Sequence, residues 1–220
     1  MNCCQCQGIE DLFNEKSVQR ELADYRKKGP SGTTRVLLGA LEARGVRGRT
    51  LIDIGGGVGA IQHALLRAGA ASALDVDASR AYINAARAES ARLGYAERTA
   101  FWHGNFVDLA PQIEPADIVT LDRVLCCFPD VESMVKRSAE RARRLYGLVY
   151  PRDTWLARAA VAVMNGFLRL QGSKFRTYVH PSQWVEEMVT QAGLKRVFSG
   201  GTFIWQVIVY ERGVGNEVSA

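Results

Sequence analysis

Hydrophobic residues recur along this chain with two alternating periods. Short apolar runs, of the kind buried in a parallel sheet, alternate with longer segments whose apolar residues return every three or four positions, as on amphipathic helices. The alternation begins near Leu51 and continues to Tyr210. It predicts an α/β fold, a doubly wound and mostly parallel sheet with helices on both faces. We predict seven strands, at 51–54, 73–77, 99–102, 116–121, 145–150, 194–198 and 203–210.

The helical segments divide the chain into a cap, a domain and a tail. The first 48 residues are predicted to form an N-terminal helical cap, since helical periodicity covers most of them. Residues 49–212 are predicted to form one domain, and residues 213–220 a flexible tail. We predict helices at 9–28, 33–43, 61–67, 79–93, 131–144 and 180–192.

The first predicted strand leads into a loop crowded with glycine, Gly55-Gly56-Gly57-Val58-Gly59, and a helix follows. Glycine allows a positive φ and lets a backbone lie directly against a ligand. Free N–H groups at a helix start, beside the carboxyl end of a parallel strand, are typical of a nucleotide site. Gly55, Gly57 and Ala60 also fit the dinucleotide fingerprint, so an NAD-binding oxidoreductase remains an alternative.

Two acidic residues favour a different nucleotide. Asp53 precedes the loop by two positions, and its carboxylate would lie unfavourably close to a pyrophosphate. It suits a ligand that has a cationic ammonium and sulfonium and no phosphate, which describes S-adenosylmethionine. Asp77 ends the second predicted strand, where a ribose-binding acid is expected. Asp77 could instead cap the next helix, although Ser79 can fill that role.

The stretch from Asp53 to Gly59 resembles the first motif of the class I S-adenosylmethionine-dependent methyltransferases, and Asp77 matches their ribose-binding acid. The resemblance is specific from Leu51 to Asp130. It implies S-adenosylmethionine as cofactor, an antiparallel terminal strand, and an adenine contact from Asn105, where the family commonly has Asp. In length, N-terminal helices and final strands the chain also resembles the magnesium-protoporphyrin O-methyltransferases. The predicted cofactor-binding residues are Tyr25, Asp53, Gly55, Gly56, Gly57, Gly59, Asp77, Ala78, Asn105, Phe106 and Asp122.

Candidates for the methyl acceptor site follow the later strands, because ligands bind beyond the carboxyl ends of such strands. The expected reaction is O- or N-methylation of a small molecule by in-line displacement, which depends mainly on alignment. Arg123 and Arg152 either hold an anionic acceptor or form surface ion pairs. Tyr25 and Arg26 belong either to the site or to a plain packing helix, and His103 is either a base or simply packed. The predicted catalytic residues are Asp122, Arg123, Cys126, Tyr150 and His180.

An additional apolar segment at about 154–175 follows the fifth predicted strand. Arg158 and Arg169 flank its apolar centre, so it is too short and too charged to span a membrane. It is predicted to be a lid over the acceptor or an amphipathic surface helix, and analogy with the family favours the lid.

The chain has five cysteines, Cys3, Cys4, Cys6, Cys126 and Cys127. Their spacing fits neither a disulfide framework nor a zinc site, so no metal is predicted. On one interpretation Cys3, Cys4 and Cys6 are reduced thiols at a mobile terminus, and Cys126 and Cys127 are small buried hydrophobes. On the other, all five are ligands of a thiol-based protein that binds or methylates a metal or metalloid on the same fold.

Net charge and the distribution of arginines indicate which kinds of molecule the protein binds. The 220 residues carry a net charge of +5, yet the arginines are dispersed apart from Arg141, Arg143 and Arg144 on one predicted helix. That pattern favours a solvated helix face over nucleic-acid binding. No signal peptide or membrane-spanning run is found. We therefore expect a cytoplasmic protein that acts on a small-molecule acceptor, without nucleic acid or stable membrane insertion. The oligomeric state is not predicted.

Overall fold

A computed structural model describes residues 8, 10 and 12–213 and contains one seven-stranded sheet, with strand order β3-β2-β1-β4-β5-β7-β6. Strands β1 to β5 are parallel, and β7 lies antiparallel between β5 and β6. The predicted fold class is therefore confirmed. The strands are β1 Thr50–Ile54, β2 Ser72–Asp77, β3 Thr99–His103, β4 Ala116–Asp122, β5 Ala142–Pro151, β6 Leu194–Gly201 and β7 Trp205–Arg212.

Helices cover both faces of the sheet. Helices α5, α6 and α8 pack on one face and α2 and α3 on the other, while a smaller cluster joins α1 to α4. They are α1 Glu15–Lys28, α2 Gly32–Glu42, α3 Ala60–Arg67, α4 Arg80–Arg92, α5 Phe106–Leu109, α6 Val131–Glu140, α7 Trp155–Leu170 and α8 Ser182–Gln191. No helix in this part of the chain is long and apolar enough to cross a bilayer.

Strand β5 shows why the sequence of a central strand is a continuous apolar run. Successive side chains of a strand point to opposite faces of the sheet. Tyr146, Leu148 and Tyr150 therefore pack with α6 and α8, whereas Leu145 and Val149 pack with α2 and α3. Both faces are covered by helices, so neither set of alternate positions is polar.

The predicted helix at 9–28 is interrupted. Residues 10 and 12 are helical, residues 13 and 14 are not, and helix α1 begins at Glu15. The Asn14 side chain accepts hydrogen bonds from the N–H groups of Lys16 and Ser17 and caps this helix. Gly29, with φ of 73°, ends it. Ile9, which we included in the predicted helix, lies outside the described residues.

The prediction of one helix at 131–144 is wrong. Helix α6 ends at Glu140, and the Ala116 N–H donates to the Arg141 carbonyl at 2.9 Å, which begins the pairing of β4 with β5. Arg143 and Arg144 therefore lie on β5. The Arg144 guanidinium donates to the carbonyl groups of Arg44 and Gly45 and pairs with Glu211, so these arginines do not form a basic helix face.

Candidate active site

The loop between β1 and α3 has a backbone that only glycine adopts readily. Gly55, Gly57 and Gly59 have φ values of 65°, 59° and 86°. A Cβ on Gly56 would lie 2.7 Å from Asp75 Oδ1, so this residue has no room for a side chain either. The loop thus packs closely against the ends of the strands, and its other side lines a cavity.

Asp77 is fixed to this loop. Its Oδ2 accepts a hydrogen bond from the Gly57 N–H at 3.2 Å, and its Oδ1 accepts one from the Ser79 N–H at 2.7 Å. Burial raises the pKa of Asp77 to about 6, although both hydrogen bonds act in the opposite direction. Ser79, and not Asp77, is the N-cap of α4, since its hydroxyl accepts from the Tyr82 N–H.

Asp53 lies beneath the same loop with one oxygen unpaired. Its Oδ1 accepts a hydrogen bond from the Thr120 hydroxyl at 2.7 Å, whereas Oδ2 is buried without a partner. Burial raises the pKa of Asp53 to about 7. A buried carboxylate oxygen that lacks a donor, at the wall of a cavity, fits a cationic or N–H group of a ligand.

Asp75 was not predicted as part of this region. It pairs in register with Asp53 on the neighbouring strand, accepts from the Gln62 amide at 3.1 Å and keeps Oδ1 unpaired. Burial, together with the charges of Asp77 and Asp53, raises its pKa well above the usual range. Asp75 and Asp77 are two positions apart on β2, so their side chains lie on the same face of the sheet. This spacing could have indicated Asp75 from the sequence.

The cavity beside the loop has a volume of about 770 Å³. Of the predicted cofactor-binding residues, Gly59 alone is absent from its lining. Gly59 is the N-cap of α3, and a Cβ there would lie 2.5 Å from His63 Cε1. The predicted residues that do line the cavity are Tyr25, Asp53, Gly55, Gly56, Gly57, Asp77, Ala78, Asn105, Phe106 and Asp122.

Asn105 and Phe106 form the wall of the cavity beyond β3. The Asn105 side chain caps α5, accepting from the Val107 N–H at 3.1 Å, and its amide nitrogen donates to Asp108. Phe106 is buried beneath it. The two residues offer an apolar ring and an amide group to a flat, polar-edged ligand group.

The end of β4 contributes a charged pair to the cavity. Asp122 accepts from the Thr34 hydroxyl at 2.5 Å and from Arg123 Nε at 3.0 Å. Arg123 has φ of 62°, and no other non-glycine residue in the described ranges has a positive φ. Backbone of this kind costs about 1–3 kcal/mol and is found preferentially at functional sites. Both side chains line the cavity.

Cys126 and Cys127 also line the cavity, with their Sγ atoms 3.8 Å apart. The Cys126 thiol donates to the Arg123 carbonyl at 3.2 Å, and Cys127 Sγ lies 3.5 Å from the same oxygen. The hydrogen bond from Cys127 lowers the pKa of Cys126, against the effect of burial. Across residues 8, 10 and 12–213 no group of three or more His, Cys, Asp or Glu side chains could hold a metal ion. Cys3, Cys4 and Cys6 lie outside those residues.

Two predicted catalytic residues do not line the cavity. Tyr150 is buried in the core between β5 and α8, on the face opposite Val149. His180 lies behind the turn that carries the cysteines, with Nε2 at 2.9 Å from the Leu125 carbonyl and 3.1 Å from that of Phe128. Burial lowers its pKa. Neither side chain is among those that line the cavity.

Three further candidates make contacts elsewhere. The Arg26 guanidinium pairs with the buried Glu89 carboxylate at 2.6 Å. Arg152 donates to the carbonyl groups of Thr202 and Gly200, and His103 Nε2 is 3.2 Å from the Ala78 carbonyl. An ion pair thus holds Arg26, and backbone carbonyl groups hold Arg152 and His103.

Helix α1 supplies cavity residues that we did not predict. Tyr25 was predicted, and its hydroxyl is 3.5 Å from His63 Nδ1. Glu21, which hydrogen-bonds the Tyr82 hydroxyl, and Lys28 lie four and three positions from Tyr25 on the same helix face. The helical period could have indicated them. The other unpredicted lining residues include Phe13, Thr34, Arg35, Tyr82, Phe128, Met134, Met164, Phe175, Thr177 and Trp205.

Comparisons with known proteins agree with this geometry. Residues 52–145 match a family model described as a methyltransferase domain. The chain is similar in structure to magnesium protoporphyrin IX methyltransferase from Synechocystis with bound S-adenosylhomocysteine, with a TM-score of 0.74, 20% identity and coverage of 95% of this chain and 100% of that one. The chain is also similar to an O-methyltransferase family protein from Burkholderia thailandensis, with a TM-score of 0.71 and 19% identity. That match covers 94% of this chain and 63% of the other. No curated protein matches the chain.

At these identities the structural likeness establishes the fold. Residues 52–145, which match the methyltransferase domain, contain the glycine loop, Asp53, Asp77 and the Asp122–Arg123 pair. The strand order and the two acids, Asp53 beneath the loop and Asp77 bonded to it, agree with that match. This chain therefore contains a methyltransferase domain, on the fold that it shares with the methyltransferase bound to S-adenosylhomocysteine.

Proposed function

We propose that this protein transfers the methyl group of S-adenosylmethionine to an oxygen or nitrogen of a small molecule. The observation that carries the proposal is a single cavity that joins the glycine loop and its two acids to the Asp122–Arg123 pair. The likeness to the O-methyltransferase family protein and to the magnesium protoporphyrin IX methyltransferase named above supports a small-molecule acceptor.

The residues of the cavity fit S-adenosylmethionine. Asp77, held by the Gly57 and Ser79 N–H groups, would accept from the ribose hydroxyls. Asn105 and Phe106 would contact the adenine, and the unpaired oxygen of Asp53 would face the cationic methionine part. When bound, S-adenosylmethionine supplies a methyl group on a positively charged sulfur.

The chain contributes alignment and exclusion of water. Both Asp122 oxygens are already occupied by Thr34 and Arg123, so this carboxylate fixes its neighbours and is poorly placed to take a proton. An acceptor that is already anionic needs no base, and Arg123 can bind it through its remaining N–H donors. We therefore favour a carboxylate or phenolate oxygen as acceptor.

The segment at 154–175 contributes side chains to the cavity on the side where we propose that the acceptor binds. Met164 on α7 and Phe175 after it line the cavity. The Thr177 hydroxyl donates to the Cys126 carbonyl at 3.1 Å, which joins this part of the chain to the turn after β4. These contacts support the predicted lid as part of the proposal.

Methyl transfer can be tested directly. The purified protein is incubated with methyl-labelled S-adenosylmethionine and a panel of carboxylic acids, phenols and amines, and labelled product is measured. We expect transfer to an oxygen acid and its loss in Arg123→Gln. Transfer to amines alone, undiminished in that variant, would contradict the anionic acceptor.

A second function rests on the cysteine pair. Two thiols 3.8 Å apart at a cavity wall can chelate a thiophilic metalloid. Arsenite titration with thiol counting tests this possibility. Loss of two thiols at equimolar arsenite would support it, and free reaction of both thiols in excess arsenite would exclude it.

A further inference from the structure

Helix α7 presents its apolar side chains outward. Ala157 is its single buried residue. Trp155, Val163, Phe167 and Leu170 are exposed by 76%, 75%, 60% and 88%. A helix that packs on a protein core normally has the opposite arrangement.

The side of α7 that faces the protein contains a polar residue. The Asn165 amide donates to the Thr177 carbonyl at 2.8 Å, and its oxygen accepts from the Thr177 N–H at 2.9 Å. Asn165 and Ala157 are eight residues apart and share one face, while positions 155, 159, 163, 167 and 170 share the other. The apolar face is therefore a distinct surface of the helix and does not result from loose packing.

A neighbouring loop extends this apolar surface. Phe203 and Ile204, between β6 and β7, are exposed by 75% and 57%. The Arg152 N–H donates to the Ile204 carbonyl at 2.8 Å, which joins this loop to the residues immediately before Trp155. Two separate segments thus expose large apolar side chains in one region, and such patches mark interaction sites.

The charge around the surface identifies the kind of partner. From 154 to 185 the sequence has no Asp or Glu and four cationic residues, Arg158, Arg169, Lys174 and Arg176, of which Arg158 pairs with Asp153 at 2.7 Å. Arg158 and Arg169 are eleven residues apart and therefore lie on one edge of the apolar face. A second copy of this chain would bring the same positive charges together without acids on either helix. An anionic partner is favoured instead.

We propose that α7 and the β6–β7 loop dock on the surface of an anionic lipid bilayer, with the apolar face in the interfacial region. A basic helix with Trp, Phe and Leu on one side is typical of such binding. The apolar face carries no hydrogen-bonding side chain other than the Trp155 indole, which suits an interface better than a structured protein surface. Docking would be peripheral.

The surface borders the cavity, since Met164 is 45% exposed and also lines it. A lipid-soluble acceptor could therefore pass from the bilayer to the transferable methyl group. This assignment of acceptor class rests on the proposed function, whereas docking itself does not.

The test is flotation of the full chain with vesicles of phosphatidylcholine alone or mixed equally with phosphatidylglycerol, without cofactor. We expect the protein to float with the anionic vesicles and to bind neutral ones at least tenfold more weakly. Val163→Ser/Phe167→Ser should reduce flotation at least tenfold, while the control Leu93→Ser/Val197→Ser, which changes exposed apolar residues elsewhere, should float like the wild type. Arg169→Gln/Lys174→Gln should also weaken binding, unlike Arg137→Gln/Arg143→Gln.

A second readout follows Trp155. Its fluorescence should shift to shorter wavelength with anionic vesicles, and the shift should disappear in Trp155→Phe. Failure of the wild type to float, or equal flotation of Val163→Ser/Phe167→Ser, would overturn the proposal. So would light scattering that shows a dimer converted to monomer by the same variant, because a second copy would then cover the face. Binding of S-adenosylhomocysteine in solution tests the proposed function separately and should be unchanged in all these variants.

Discussion

The Asp77 carboxylate accepts a hydrogen bond from the Gly57 N–H at 3.2 Å. This contact joins the end of β2 to the glycine loop after β1, across twenty residues of sequence. It explains why the acid and the loop form one site: the loop is held against the acid, and both line the same cavity.

Removing the Asp77 carboxylate should weaken cofactor binding. We expect Asp77→Ala to reduce affinity for S-adenosylhomocysteine by roughly 1.5–3 kcal/mol, the range for a hydrogen bond to a charged group. Isothermal calorimetry measures this. Asp77→Asn, which keeps one acceptor oxygen, should lose less affinity for S-adenosylhomocysteine than Asp77→Ala. Unchanged affinity in Asp77→Ala would mean that another acid binds the ribose.

A side chain on Gly57 should abolish cofactor binding and leave the protein folded. A Cβ there meets only ordinary contacts, Glu21 at 3.7 Å and Tyr82 at 3.8 Å, so the fold bears mainly the cost of a left-handed residue, about 1–2 kcal/mol. Gly57→Val would, however, project into the cavity.

Gly45→Val is the matched control, because Gly45 also has positive φ, 79°, and open space around it. Both variants should lower the thermal midpoint similarly, and only Gly57→Val should lose S-adenosylhomocysteine binding. Normal binding by Gly57→Val would place the cofactor elsewhere.

The protonation of Asp53 should make stability and cofactor affinity depend on pH in opposite directions. Its pKa is about 7 in the folded protein against an ordinary 3.8, so the folded state retains a proton that the unfolded chain releases in this interval. The free energy of unfolding of the ligand-free protein should therefore fall as pH rises from about 4 to 7.

The same ionisation should favour a cationic ligand. Affinity for S-adenosylmethionine should rise between pH 6 and 8 in the wild type and change much less in Asp53→Asn, as followed by calorimetry at each pH. If the wild type and Asp53→Asn show the same pH profile, Asp53 does not face the charged part of the ligand.

Replacing the cysteines tests whether they contact the acceptor. On the methyltransferase proposal, Cys126→Ser and Cys127→Ser should each retain cofactor binding and change methyl transfer by less than about tenfold, since cysteines that are buried or half-buried act mainly as small hydrophobes. Labelled methyl transfer and calorimetry measure the two quantities. Loss of transfer with intact cofactor binding would instead assign both thiols to the acceptor site.

The cofactor side of the site could be predicted because its determinants are local. Asp53, Gly57 and Asp77 lie within two strands and one loop, so their spacing fixes their geometry. The acceptor side depends on distant contacts, such as the bond from Thr34 to Asp122 across 88 residues. No sequence spacing indicates that pair.

The end of β5 was predicted to within one residue, but the direction of its side chains was not. Tyr150 stands one residue before the end of β5, but alternation with Tyr146 turns it into the core. No glycine or proline marks the end of α6 at Glu140. The sequence therefore contains no signal to end the predicted helix there, and the prediction extended it into β5. The outward apolar face of α7 has the same period as a buried one, and only the packing distinguishes them.

The cavity should bind S-adenosylmethionine and not a dinucleotide. Calorimetric titration of the wild-type protein with S-adenosylhomocysteine and, separately, with NAD distinguishes the two ligands. We predict a dissociation constant on the order of micromolar for S-adenosylhomocysteine, about −8 kcal/mol, and negligible heat with NAD. Tight binding of NAD with no response to S-adenosylhomocysteine would contradict the account.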